Sequence, residues 1–223
     1  MLSTKDVKAP SASQGMSKTL NPGNHVCTIN GIQLVPFPYK PDSYHLVLSL
    51  EGPALESFEG FFINKDDESK GRYAGQIGTV KVSEWAYADG QTKSGIDIKK
   101  DEEILKAIKG LCTSLGIDSW FTGADGKYAT IEDFVKAFDT EKPFAKKPML
   151  YCIAGKEYTN KGGYNAYELF LPKYTKAGAP YGNENVVKFT EADHIKKKKA
   201  EAVTDFDTSA QPGMEAPSEF TLE

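Results

Sequence analysis

The sequence predicts a mainly β protein, a five-stranded antiparallel barrel with helices inserted between the third and fourth strands. Three observations carry that reading. Three strand-like runs come first, two amphipathic helices follow, and two more strand-like runs close the order around a short polar loop. The 223 residues, 39% hydrophobic and 11% aromatic, suffice for one sizeable core. Cys27, Cys112 and Cys152 are odd in number, far apart and each set in an apolar pattern. They read as buried thiols in a reducing compartment and not as a disulfide framework. An antiparallel sandwich accommodates the same pieces.

Residues 1–23 are polar and small, without periodicity, and read as a disordered arm, so the ordered domain is expected over 24–200. A first strand spans 25–35, with a bend or bulge expected at the isolated Gly31. Pro36, Pro38 and Pro41 then make a stiff loop from which Phe37, Tyr39 and Lys40 project. The second strand is 44–50. A Gly-Pro turn, the short apolar piece at 60–64 and a charged loop lead to the third strand, 76–87, with Arg72, the one arginine in the chain, just before it. Alternation there puts Thr79, Lys81, Ser83, Trp85 and Tyr87 on one side, and Val80, Val82 and Ala86 on the other.

A helix is expected over 101–115, with Asp101 as cap, Ile104, Leu105, Ile108, Leu111, Cys112 and Leu115 on one face, and Gly116 as the stop. Thr130 and Asp133 open a second helix over 130–138 with a variant capping box. The stretch 149–174 then reads as a hairpin. Its two runs flank a loop carrying Lys156, Tyr158, Lys161, Gly162, Gly163 and Tyr164, where paired glycines permit a reversal. Beyond it lie a possible edge strand at 185–189 and a polar helix at 190–202 bearing lysines 196–199.

This order matches the OB-fold, with the helix between strands three and four. On that mapping the Phe37, Tyr39 and Lys40 loop joins strands one and two, the Lys156 to Tyr164 loop joins strands four and five, and Lys81 with Trp85 lie on the face of strands two and three. Those are the places where this fold binds oligonucleotides. Rings there would be platforms for bases and lysines point charges for phosphates. The candidate nucleic-acid-binding residues are therefore Phe37, Tyr39, Lys40, Arg72, Lys81, Trp85, Lys156, Tyr158, Lys161 and Tyr164.

The formal net charge of −4 conceals a division. Glu201, Asp205, Asp207, Glu215, Glu219 and Glu223 are unaccompanied by any base over 201–223, which leaves 25 of the 31 acids against 27 basic residues in the body. An OB-fold-like body followed by a flexible acidic tail resembles phage-encoded single-stranded DNA-binding proteins. The resemblance implies little sequence specificity, work in DNA replication or recombination, and a tail whose acids flank an aromatic residue and recruit partner enzymes. Here Phe206 stands between Asp205 and Asp207, and Phe220 follows Glu219. The tail is less densely acidic than many of that kind and ends Thr-Leu-Glu. An acidic tail also competes with DNA for a basic groove.

No phosphate-binding glycine loop, Cys-x-x-Cys or His-Glu metal spacing occurs, and His25, His45 and His194 are scattered. No enzyme activity, metal or cofactor is expected. The absence of a membrane-length apolar run and of a signal peptide places the protein in the cytoplasm, the host's if phage-encoded. Two alternatives stand beside the DNA-binding reading: a structural or assembly β-barrel of a virion or adaptor, and a carbohydrate-binding module, because exposed rings also stack on sugars.

Overall fold

The computed structural model describes residues 19–52, 61–62, 72–73, 76–180 and 187–198. Residues 1–18 of the expected arm and the whole acidic tail, with Asp205, Phe206, Asp207, Glu219 and Phe220, lie outside them. Five strands close a barrel: β1 (Gly23–Phe37), β2 (Lys40–Gly52), β3 (Gln76–Lys81), β4 (Met149–Thr159) and β5 (Asn165–Phe170). Their spatial order is β1-β2-β3-β5-β4, and β4 returns to β1. Three helices intervene between β3 and β4: α1 (Lys100–Leu115), α2 (Asp118–Gly123) and α3 (Ile131–Glu141). The mainly β barrel with inserted helices is thus as expected. The sheet is mixed, because β3 and β5 run parallel through Val80↔Leu169 and Lys81↔Phe170. In a closed ring of five strands directions cannot alternate all the way round, so at least one parallel pair is unavoidable.

Closure depends on β1. Its first part, Gly23 to Cys27, pairs with β4, and its remainder from Thr28 pairs with β2. Between Ile29 and Gly31 the register shifts, at the bulge expected near Gly31. The ladder is interrupted there, and α3 fills the gap. The Ile32 amide donates to Asp139 Oδ1 at 2.8 Å, and Lys142 Nζ donates to the Asn30 carbonyl at 3.1 Å. A Cβ on Gly31 would stand 3.2 Å from that same Asp139 oxygen, so the glycine allows the helix its close approach.

Alternation sorts the strands into two faces. Inward point Ile29 and Ile32 of β1, Leu46, Leu48 and Leu50 of β2, Val80 of β3 and Leu169 of β5, all buried. Ile104, Ile108, Leu111 and Cys112 of α1 and Phe134, Val135 and Phe138 of α3 are buried in the same cluster. Leu20, 1% exposed, enters this core too. Its amide donates to the Ile77 carbonyl at 2.9 Å, and its side chain occupies the space above Gly78, where a Cβ would approach Leu20 Cβ to 2.7 Å. The chain is therefore placed before Asn24, the expected start of order.

Several boundaries differ from expectation for identifiable reasons. The proline loop is a tight turn: Pro36 pairs with Tyr44 and Phe37 with Lys40, since a proline lacking a donor is tolerated beside a register shift. Asp101 lies in the first turn of α1, and Lys99 occupies the cap position without a capping side chain, whereas Gly116 closes the helix at φ 65° and Thr130 caps α3 by accepting from the Asp133 amide, as expected. The short helix α2 has too few apolar residues for its period to show. Lys156 and Tyr158 belong to β4 and not to the hairpin tip, which is residues 160–164. Asn160 takes over the reversal there: its Oδ1 accepts from the amides of Gly162 and Tyr164 at 2.9 and 3.0 Å. No strand forms over 187–189. The expected lysine helix is a single turn, Glu191–His194, capped by Thr190, after which Ile195–Lys196 pairs parallel with β4.

Replacing Leu20 by Ala should cost about 2–5 kcal/mol, the usual cost of a cavity in a packed core. A urea unfolding midpoint measures it. A loss below about 0.5 kcal/mol, the scale of an ordinary surface substitution, would place Leu20 outside the cooperative core.

Candidate nucleic-acid interface

The outer face of β2, β3, β5 and β4 forms one continuous surface, and pairing register dictates who stands beside whom. Val47 of β2 faces Lys81 of β3, Lys81 faces Phe170 of β5, and Phe170 faces Ala154 of β4. One step along, Glu168 pairs with Lys156, and Ala166 with Tyr158. Every second residue of β2 continues the surface, which brings Ser43 and His45 into it. A cleft of about 420 Å³ opens here, lined by Phe37, Lys40, Ser43, His45, Lys81, Glu84, Trp85 and Lys156, with Glu168 also at its wall.

Trp85 is 75% exposed, and the backbone explains how. Regular β3 ends at Lys81, not at Tyr87 as the alternation predicts. The Val82 amide still donates to the Leu46 carbonyl at 2.8 Å, and Tyr44 and Tyr87 exchange amide bonds of 3.0 and 2.7 Å. Between those points the β3 side has four intervening residues, 83–86, where the β2 side has one, so the excess loops outward and carries Trp85 with it. The same excess turns Tyr87 inward to 8% exposure, so Tyr87 leaves the outward row.

Of the ten residues expected from sequence, Phe37, Lys40, Lys81, Trp85 and Lys156 share this cleft. Tyr158 lies beside it, in a shallow depression that shares Lys156 and Glu168. Tyr39 is 89% exposed and meets the Phe37 ring edge-on at 5.7 Å, while Lys161 and Tyr164 sit exposed at the β4–β5 tip. Arg72–Tyr73 pairs with Phe61–Phe62 in a separate two-stranded sheet.

The charge of the cleft is mixed. Lys81 pairs with Glu168, and Lys196 Nζ reaches Glu84 at 2.5 Å while lying 5.8 Å from the Phe170 ring centroid. Lys40 and Lys156 form no ion pair among the described residues. Sequence reasoning missed Glu84, Glu168 and Lys196, because nothing in a strand's own pattern says which neighbour it will face. It also passed over Ser43 and His45, although polar side chains two apart in an apolar strand mark an outer face. Both are almost fully enclosed, at 1% and 7% exposure, yet Ser43 Oγ and His45 Nδ1 have no hydrogen-bond partner among the described residues. Each such atom costs about 1–3 kcal/mol when left unpaired. Burial, and then the charge of Lys81, hold His45 below its ordinary pKa, opposed by Glu168, so its imidazole is neutral at neutral pH.

His25 holds the Asn21 carbonyl at 2.9 Å, and burial raises the Cys27 thiol to about 12. Among the described residues no three His, Cys, Asp or Glu side chains gather as metal ligands, and no helix is long and apolar enough to cross a membrane. No family model, curated protein or solved structure matches the chain.

Trp85→Ala should change stability by no more than about 0.5 kcal/mol, as an exposed site away from special contacts, whereas Tyr87→Ala should cost about 3–5 kcal/mol, as the loss of a large buried ring does. Denaturant titrations of both variants check the pair. Equal losses would mean that the 83–86 excursion does not hold Trp85 outside.

Proposed function

We propose that this chain is a single-stranded DNA-binding protein that works by aromatic stacking and phosphate neutralisation, in a phage replication or recombination system. The observation that carries the reading is the convergence of Phe37, Lys40, Lys81, Trp85 and Lys156, from β1, β2, the β3 exit and β4, on one cleft. A single strand presents flat bases and a regular line of negative charge, and this cleft sets the rings of Phe37 and Trp85 among Lys40, Lys81 and Lys156. Tyr39 and the Lys161 and Tyr164 tip extend it at its margins. The Lys81 pair with Glu168 is no obstacle, since a partly exposed ion pair is worth about 0–1 kcal/mol and a phosphate can take the carboxylate's place. The phage setting rests on the resemblance of a barrel followed by an acidic tail. In that setting Asp205, Phe206, Asp207, Glu219 and Phe220 are the residues that would meet partner enzymes.

Fluorescence anisotropy with a short poly-thymidine strand at several salt concentrations tests the proposal. Trp85→Ala or Tyr158→Ala should weaken binding by about 1–3 kcal/mol, the worth of a stacking platform. Replacing Lys40, Lys156 and Lys161 together should flatten the dependence of log affinity on log salt by about 2, at roughly 0.7 per single-strand phosphate contact. Binding that ignores both salt and these lysines would instead favour the carbohydrate or assembly alternatives.

Deleting residues 201–223 takes the formal charge from −4 to +2, since the segment holds six acids and no base. Affinity should rise, most at low salt, where the Debye length exceeds its value of about 8 Å at physiological strength. No gain at low salt would exclude competition by the tail.

A further inference from the structure

Ser43 and His45 line the cleft, and each holds a buried polar atom, Ser43 Oγ and His45 Nδ1, that has no hydrogen-bond partner among the described residues and that neither stacking nor phosphate neutralisation uses. They stand two residues apart on β2, hence on the same outer face, and the register shift between Pro36 and Phe37 sets the Phe37 ring edge-on to His45, centroids 5.7 Å apart. We infer that Ser43 and His45 form a base-edge subsite, which hydrogen-bonds one nucleobase seated in the cleft beside Trp85 and Phe37 and gives the protein a base preference at a single nucleotide position. The inference rests on the nucleic-acid reading proposed above and refines its lack of sequence specificity.

Three features support this occupant. Native proteins leave few buried polar atoms unpaired, and of the four such side-chain atoms among the described residues, these two stand together on β2 and belong to residues that line the cleft. A neutral imidazole offers one donor and one acceptor, and a hydroxyl both donates and accepts, which matches the mixed donor and acceptor edge of a base. A phosphate suits Ser43 and the neutral His45 less well than it suits the lysines of the same cleft, because neither side chain carries a positive charge to meet it, while a neutral base edge needs none. Backbone charge is better met at Lys40 and Lys156, which form no ion pair among the described residues.

The test compares the affinities of equal-length thymidine, deoxycytidine and deoxyadenosine homopolymers for the full chain, Ser43→Ala and His45→Phe at one salt concentration. The intact protein should separate its best from its weakest homopolymer by about tenfold, the discrimination of one well-made base contact. Each variant should shrink that ratio to within about twofold, losing most affinity for the strand the intact protein prefers. A ratio that persists unchanged in both variants would assign the preference to stacking and overturn the inference, as would an intact protein that binds all three alike. Should His45→Phe fail to fold, as near-ultraviolet circular dichroism would show, Ser43→Ala, which removes a single oxygen, decides alone. Failure of every strand to bind the intact protein is a different result, which removes the nucleic-acid reading together with the subsite.

Discussion

The whole architecture turns on one strand serving two neighbours. β1 pairs with β4 over its first five residues and with β2 from Thr28 onward, and its ladder with β2 breaks between Ile29 and Gly31. A break exposes backbone groups, and buried backbone groups need partners. Asp139 and Lys142, at the end of α3, supply them. The inserted helices are therefore part of the closure and not an appendage on it. Once β1 joins both edges, the odd number of strands forces a parallel contact, which falls between β3 and β5. That contact in turn sets Lys81 beside Phe170 and its neighbour Glu168.

The cleft follows from the same geometry. Closure drives the leucines of β2 inward, so its intervening residues, Ser43 and His45, must face out. Four residues in place of one at 83–86 lift Trp85 away from the barrel. Lys156 arrives from β4 because β5 lies between β3 and β4. Ion pairs with Glu84 and Glu168 moderate the positive charge of this surface. Such moderation suits a protein whose body carries only a slight excess of positive charge beside an acidic tail.

Much of the fold was legible in the sequence, because it rests on local periodicity. The bulge at Gly31, the apolar stripe of α1 with its stop at Gly116, and the Thr130 cap are all written within a few residues. Half of the ten expected binding residues meet in one cleft for a related reason: tips rich in rings and lysines next to β strands can be placed once the strand order is known. The illegible parts are non-local. Tyr87 was expected to face outward, and only its amide exchange with Tyr44 reveals the excess residues that turn it in. The lysine run was expected on a helix, but an open position beside β4 at Gly155 and Lys156 draws Ile195 and Lys196 into strand pairing. Leu20 sits in a polar stretch, and the space that receives it exists only because Gly78 lacks a side chain. Pairing across the barrel decides all three.

The most direct measurement uses the two tryptophans, which the structure sets apart. Trp120 is tied to Glu141 by a 2.6 Å hydrogen bond and packs tilted against Phe138, 4.6 Å between centroids, whereas Trp85 stands open at the cleft. In a Trp120→Phe variant Trp85 is the sole tryptophan reporter. Titration with a short poly-thymidine strand should quench its emission saturably, and added salt should reverse the quenching as counterions displace the strand. Saturable binding to the same strand, seen by anisotropy, with Trp85 emission unchanged would contradict the assignment of this cleft as the nucleic-acid interface.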